Sequence, residues 1–173
     1  MAAIERPGAV TLHNNPFTLV GPEIKVGDRA PDFTVIGNDM KPVTLKDTEG
    51  KVRILSVVPS LDTPVCDQQT RRFNEEAARL PNVEILTISM DLPMAQKRWC
   101  GAAEVNHVRT LSDHRDASFG QAYGTLIKEL RLNARSVFVL DKDGIVRHAE
   151  YVKEISTHPN YESVLKVASD LAG

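Results

Sequence analysis

The chain has 173 residues, 42% of them hydrophobic, and a formal charge of -2. That is enough apolar material for a core and suits one domain, residues 1–173, better than two. No run approaches the ~20 apolar residues of a membrane span and no basic field faces nucleic acid, so neither partner is expected.

The segment Met1-Ala2-Ala3-Ile4-Glu5-Arg6-Pro7 lacks a charged stretch followed by an apolar one. A secretory leader is not expected, and the cytoplasm is the expected compartment. Val10–Leu12 and Phe17–Val20 flank Asn14-Asn15-Pro16, which predicts an N-terminal β-hairpin within a 1–25 extension. A stretch punctuated by Gly27 and Pro31 follows.

Val52–Val58 is almost continuously apolar, as a strand buried on both faces should be, and Pro59 ends it. Thr63–Leu80 reads as a helix: Cys66, Phe73, Ala77 and Leu80 recur at helical spacing and Pro81 stops the run. Val83–Met90 is a second buried strand. Leu92, Ala95, Trp99 and Ala102 mark a short helix with Gly101 as its end signal. Val108–Leu111 predicts a strand, Asp116–Tyr123 a short helix, and Ser136–Leu140 a third buried strand. Asp143-Gly144 turns the chain into Ile145–Val152, and Tyr161, Val164, Leu165, Ala168 and Leu171 form the apolar face of a last helix. Alternating strands and helices predict an α/β architecture of the thioredoxin-like kind. Its central sheet is flanked by helices, and the closing hairpin makes that sheet mixed.

The chemistry centres on two cysteines. In a reducing compartment a permanent disulfide is not expected, whereas a transient one is catalytic or sensing. Two Cys cannot alone form a zinc site, and His107 and His114 have no paired Cys nearby, so no metal is expected. No G-x-G-x-x-G or phosphate-binding loop appears, so no nucleotide cofactor is expected either. Cys66 falls in the first turn of a helix that follows a buried strand. The thiolate is the reactive form of cysteine and is a minor species of a free thiol at neutral pH. A helix N-terminus favours the anion, but by only about 0.3–2 kcal/mol, so a cation or a hydroxyl donor should add to it. Thr63, three residues earlier, can set its hydroxyl beside the sulfur. The residues alone equally allow Cys66 to be a small core residue on the stripe of Phe73 and Leu80. They also allow Arg135 to be a strand-end charge facing water.

Pro59-Ser60-Leu61-Asp62-Thr63-Pro64-Val65-Cys66 matches the peroxiredoxin pattern P-x-x-x-T-x-x-C. Val26–Phe33 resembles the lead-in of the same family. The Arg98-Trp99-Cys100-Gly101 and Ala134–Asp141 segments resemble its bacterial thiol peroxidase subfamily, the atypical two-cysteine peroxiredoxins. The resemblance spans nearly the whole chain. It implies that Cys66 is the peroxidatic nucleophile, reachable by a peroxide at the mouth of its helix. Thr63 would bond the thiolate and orient the peroxide, Pro59 would shield the sulfur, and Arg135 would hold sulfur and peroxide oxygens by charge-assisted hydrogen bonds. Cys100 would be the resolving thiol, closing an intramolecular disulfide that first requires local unwinding. The resemblance further implies thioredoxin as reductant, a homodimer, no cofactor, and hydrogen peroxide with alkyl or lipid hydroperoxides as substrates. A dithiol oxidoreductase, a peroxidase resolved by an external thiol, and a non-enzymatic peroxide sensor are the alternatives. The first of these is disfavoured because Gln69, not a cysteine, stands three residues after Cys66.

Overall fold

The computed structural model describes residues 3–173; Met1 and Ala2, the start of the segment read for a leader, lie outside the described residues. In chain order the elements are β1 (Glu5–Leu12), β2 (Asn15–Val20), β3 (Thr34–Ile36), β4 (Pro42–Thr44), a 3-10 turn (Leu45–Thr48), β5 (Val52–Val57), α1 (Pro64–Ala77), β6 (Val83–Ser89), α2 (Pro93–Ala103), β7 (Arg109–Ser112), α3 (Ser118–Tyr123), β8 (Leu126–Ile127), β9 (Leu132–Asn133), β10 (Ser136–Leu140), β11 (Val146–Tyr151) and α4 (Tyr161–Ala172).

The main sheet runs β11-β10-β5-β6-β7-β3-β4. Its centre, β5-β6-β7, is parallel, and β10 and β3 flank it antiparallel, so the sheet is mixed as predicted. The register Val57↔Ile88 and Val57↔Ser136 aligns the C-terminal ends of β5 and β6 with the start of β10. Side chains alternate across this sheet. Val52, Ile54, Ile85, Val137 and Val139 meet Phe73 of α1 and Val164 and Ala168 of α4 on one face. Leu55, Val57, Leu86, Ile88, Phe138 and Leu140 meet Phe33, Phe119 and Tyr123 on the other. There Phe119 and Tyr123 stack at 4.3 Å, and Phe138 meets Tyr123 edge-on at 5.3 Å. The Tyr123 hydroxyl donates to Pro31 O at 2.8 Å, so the buried ring leaves no orphaned oxygen.

The N-terminal hairpin forms with a turn at His13 and Asn14, both at positive φ (51° and 68°), the twist-compatible geometry for two-residue hairpins. It continues into a second sheet, β1-β2-β8-β9. Two glycines let this sheet approach α3: a Cβ on Gly124 (φ +66°) would collide with Pro22 O, and one on Gly21 (φ +110°) with Gln121 O.

Four short strands were not predicted, and one helix end needs correcting. The segment between Tyr123 and Ser136, given no element above, contains β8 and β9, and Thr34–Thr44 contains β3 and β4. These strands are two or three residues long, too short for any periodicity, and exist because a neighbour's backbone satisfies them. Gly101 does not end α2: the helix runs on to Ala103 and closes at Glu104 in the left-handed conformation (φ 56°), whose N–H and that of Val105 cap the carbonyls of Gly101 and Cys100.

Candidate active site

β5 ends beneath the N-terminus of α1. Val58 and Pro59 are buried, Ser60–Thr63 loop over, and Pro64 opens the helix, its missing N–H harmless in the first turn. This sets Cys66 at the third helical position. Its side chain is fully buried (0% exposed) and packs with Val58, Leu61 and Trp99. The expectation of a sulfur open at the helix mouth is corrected: Leu61 and Trp99 close over it.

Arg135, immediately before β10, is brought under Cys66 by the β10-β5 pairing. It is 2% exposed, so it does not face water. Nη2 donates to Cys66 Sγ at 3.3 Å, Nη1 to Gln69 Oε1 at 2.9 Å, and Nε to Ile155 O at 2.9 Å. Gln69 Nε2 in turn donates to Ser56 Oγ at 2.8 Å. None of the three acceptors on Arg135 is a carboxylate. A guanidinium stays charged at any physiological pH, and burying it without a counter-ion is costly. The sulfur is the one contact able to become an anion.

Thr63 departs from expectation. Its hydroxyl donates to Ser60 O at 2.8 Å, and its side chain is exposed, so no hydrogen bond to the sulfur forms. Its hydroxyl also makes no cap to the helix N–H groups. The loop is instead held by Asp91, whose carboxylate accepts from Ser60 Oγ (2.6 Å), Leu61 N (2.8 Å) and Ser89 Oγ (2.7 Å). Ser89 also accepts from Gln96 of α2 at 2.9 Å. One polar network therefore joins the loop before Cys66 to the helix bearing Cys100. A cleft of about 420 Å³ lies along this seam, lined by Ser60, Leu61, Asp91, Arg98, Trp99 and their neighbours.

Cys100 is half-buried and, like the buried Cys66, is a free thiol. Its Sγ lies 3.4 Å from Thr110 Oγ1 on β7, which donates to Asn38 Oδ1 at 3.1 Å. Cys66 is therefore tied toward β5 through Gln69 and Ser56, and Cys100 toward β7. Tyr161 completes the surroundings: its ring meets Phe73 at 5.5 Å, and burial pushes its phenol above the ordinary value despite the nearby charges of Arg135 and Arg72.

Residues 25–165 match the Redoxin family model. The chain is 61% identical over 162 residues to a thiol peroxidase of Bacillus subtilis, covering 94% of this chain and 97% of that one. It is 59% identical over 160 residues to a thiol peroxidase of Halalkalibacterium halodurans, covering 92% and 96%.

The chain belongs to the thiol peroxidase family of redoxins.

As a thiol peroxidase it is a peroxiredoxin-type enzyme with thiol-dependent peroxidase activity. Among solved structures, a peroxiredoxin-like protein from Aquifex aeolicus superposes with a TM-score of 0.89 at 41% identity, covering 99% of each chain. The thiol peroxidase from Chromobacterium violaceum has the same fold, with a TM-score of 0.85 at 17% identity over 93% of this chain and 95% of that one. Gln69 and Asp91 of this thiol peroxidase were not singled out from sequence. A signal for Gln69 existed: it lies on the apolar stripe of α1 between Cys66 and Phe73, where a polar residue must find a buried partner. Asp91 gave none, since the loop groups it holds, Ser60 Oγ and Leu61 N, lie 31 and 30 residues away in the chain.

Proposed function

We propose that Cys66 is the peroxidatic nucleophile and that Arg135 holds both its thiolate and the incoming oxygens. The observation that carries this is the 3.3 Å contact between Arg135 Nη2 and Cys66 Sγ, made by a buried guanidinium with no carboxylate among its acceptors. The cleft at Leu61 and Trp99 is the entry for hydrogen peroxide and for alkyl or lipid hydroperoxides, and loop movement admits them. Pro59 shields the sulfur. Thr63 orients the peroxide once its hydroxyl turns from the Ser60 carbonyl.

The thiolate attacks the nearer peroxide oxygen. An S–O bond forms, the O–O bond breaks, and the leaving alkoxide or hydroxide takes a proton and departs as alcohol or water. Sulfur is oxidised to the sulfenic acid and the peroxide is reduced. Guanidinium N–H groups aimed at both oxygens stabilise the charge that develops on them. Cys100, as thiolate, then attacks the sulfenic sulfur; the S–S bond forms and the S–O bond breaks to release water. Two electrons from a dithiol reductant, thioredoxin, reopen the disulfide. The family resemblance also supports a homodimer, and it supplies no role for a cofactor.

In the reduced protein the two sulfurs have different partners: Cys66 Sγ accepts from Arg135 and Cys100 Sγ lies against Thr110 Oγ1 of β7. A disulfide needs Cα atoms within about 7 Å. Closure therefore requires the loop before Cys66 and the last turn of α2 to unwind.

Titration of reduced protein with cumene hydroperoxide, followed by stopped-flow consumption and intact mass, tests this reading. One equivalent should yield a disulfide in the parent, one added oxygen on the Cys100→Ser protein, and no oxidation of the Cys66→Ser protein. A Cys66→Ser protein that still consumes peroxide refutes the nucleophile. A Cys100→Ser protein that cycles at full rate with thioredoxin refutes the resolving role.

A further inference from the structure

At the opposite end of β5 from the Cys66 loop lies a second cleft, of about 680 Å³, a volume within the range of small-molecule sites. Its cationic lining is Arg29, Lys46, Arg53 and Lys142. None of these four forms an ion pair among the described residues. Three carboxylates, Asp32, Glu49 and Asp143, also line the cleft, leaving cations in excess. Asp32 Oδ1 is already engaged, accepting from the amides of Phe33 and Leu45.

Arg53 is the anomaly. Arg29, Lys46 and Lys142 are exposed and solvated, but Arg53 is 2% exposed. Its Nη2 donates to Asp141 O at 2.8 Å and its Nη1 to Thr48 Oγ1 at 3.3 Å, both neutral acceptors. Its Nε has no acceptor. Asp141, the nearest candidate counter-ion, spends its carboxylate on Arg147 (2.7 Å) and on the amides of Asp143 and Ile145. Burial accordingly pulls Arg53 below an ordinary guanidinium, only partly opposed by distant acids. Arg135, the other fully buried arginine described above, has a sulfur that can ionise; among the described residues Arg53 donates to no acidic side chain. A buried, uncompensated cation with an unmade hydrogen bond is costly, and a fold keeps one where a ligand completes it. Arg53 and Gly144 stand side by side in the lining of the cleft.

We propose that this cleft is an oxyanion-binding site, in which Arg53 and the flanking Arg29, Lys46 and Lys142 hold the phosphate or carboxylate of a small metabolite whose body lies against Ala30, Pro31 and Leu45. Planar, forked guanidinium groups suit such oxyanions better than isolated ammonium groups do. The site is remote from Cys66, so it stands or falls separately from the peroxidase chemistry.

The test titrates inorganic phosphate, phenyl phosphate and benzoate separately into the full chain, reading calorimetry and backbone amide shifts by NMR. Saturable shifts confined to the amides around Arg53, Lys46 and Gly144 are expected from at least one probe. The phosphate and carboxylate arms tell which oxyanion is preferred, and phenyl phosphate against phosphate reads the contribution of the apolar wall. Arg53→Met, which keeps the buried volume, should abolish binding. Arg29→Gln and Lys142→Gln, both at exposed positions, should each weaken it about tenfold, the effect of losing one charge-assisted contact. If Arg53→Met fails to fold, the two exposed variants decide. Shifts that never saturate, that spread over all surface lysines, or that persist unchanged in Arg29→Gln and Lys142→Gln overturn the proposal.

Discussion

Gln69 Oε1 accepts a 2.9 Å hydrogen bond from Arg135 Nη1, and that bond fixes the plane in which the guanidinium meets Cys66. Replacing the amide by a carboxylate gives Arg135 a competing anion. Gln69→Glu should therefore slow peroxide consumption at pH 7 by about tenfold or more while leaving the protein folded. Stopped-flow rates beside circular dichroism check it; an unchanged rate shows that Gln69 does not govern the guanidinium.

Arg135→Lys keeps the charge but cannot reach Ile155 O, Gln69 Oε1 and Cys66 Sγ together, because an ammonium has no planar fork. The second-order rate with hydroperoxide should fall by about 10²–10³, as for removal of one preorganised donor to a developing oxyanion. A loss of less than about tenfold in the same assay places the charge, not the geometry, in control.

Asp91 binds the loop that carries Ser60 and Leu61 to the end of β6. Asp91→Ala leaves Leu61 N–H without its acceptor and should cost about 1–3 kcal/mol of stability in urea denaturation. Because the same loop is proposed to open for catalysis, exchange of the Leu61 amide should quicken in hydrogen-exchange measurements well beyond the global change.

Glu154 ties the hairpin to the segment after β11. It accepts from Asn14 N and Thr11 Oγ1, both at 3.0 Å, and these bonds with those from Ser156 hold its carboxyl far below the ordinary value of 4.5. A carboxylate depressed in the folded state stabilises that state above its unfolded pKa and ceases to do so as pH falls through the folded one. The contribution should thus be complete above pH 4.5 and fade below it. Protection of the Asn14 amide should track this, and in Glu154→Gln it should be weak already at neutral pH.

Gly124 sits at φ +66° where a Cβ would collide with Pro22 O and Arg6. Gly124→Ala should destabilise the fold by about 2 kcal/mol or more, combining the left-handed penalty with overpacking. Thermal unfolding checks it, and Gly50→Ala, at φ +84° with open space around it, isolates the backbone part.

The long elements were legible because their residues answer to the sheet's two faces or to one helical stripe. Val52–Val57 and Ser136–Leu140 are apolar almost throughout because both of their faces are covered, and Phe73 and Val164 mark helices because each meets that covered face. The short strands β3, β4, β8 and β9 left no such trace. Their hydrogen-bond partners lie elsewhere in the chain, and two or three residues have no period.

By itself, the sequence determined the order of the longer strands and helices, the helix-opening position of Cys66, and the match of Pro59, Thr63, Cys66, Cys100 and Arg135 to a peroxidase pattern. Local spacing and residue chemistry suffice for those. Only the tertiary structure decided that Arg135 is buried beneath the sulfur, that Thr63 turns to Ser60, that Asp91 fastens the loop, and that Arg53 lies buried in a cleft wall without an ion pair. Each of these depends on which side chains the strand order β10-β5-β6-β7 brings within about 3 Å, a distance at which desolvation and hydrogen bonding, not sequence proximity, set the energy.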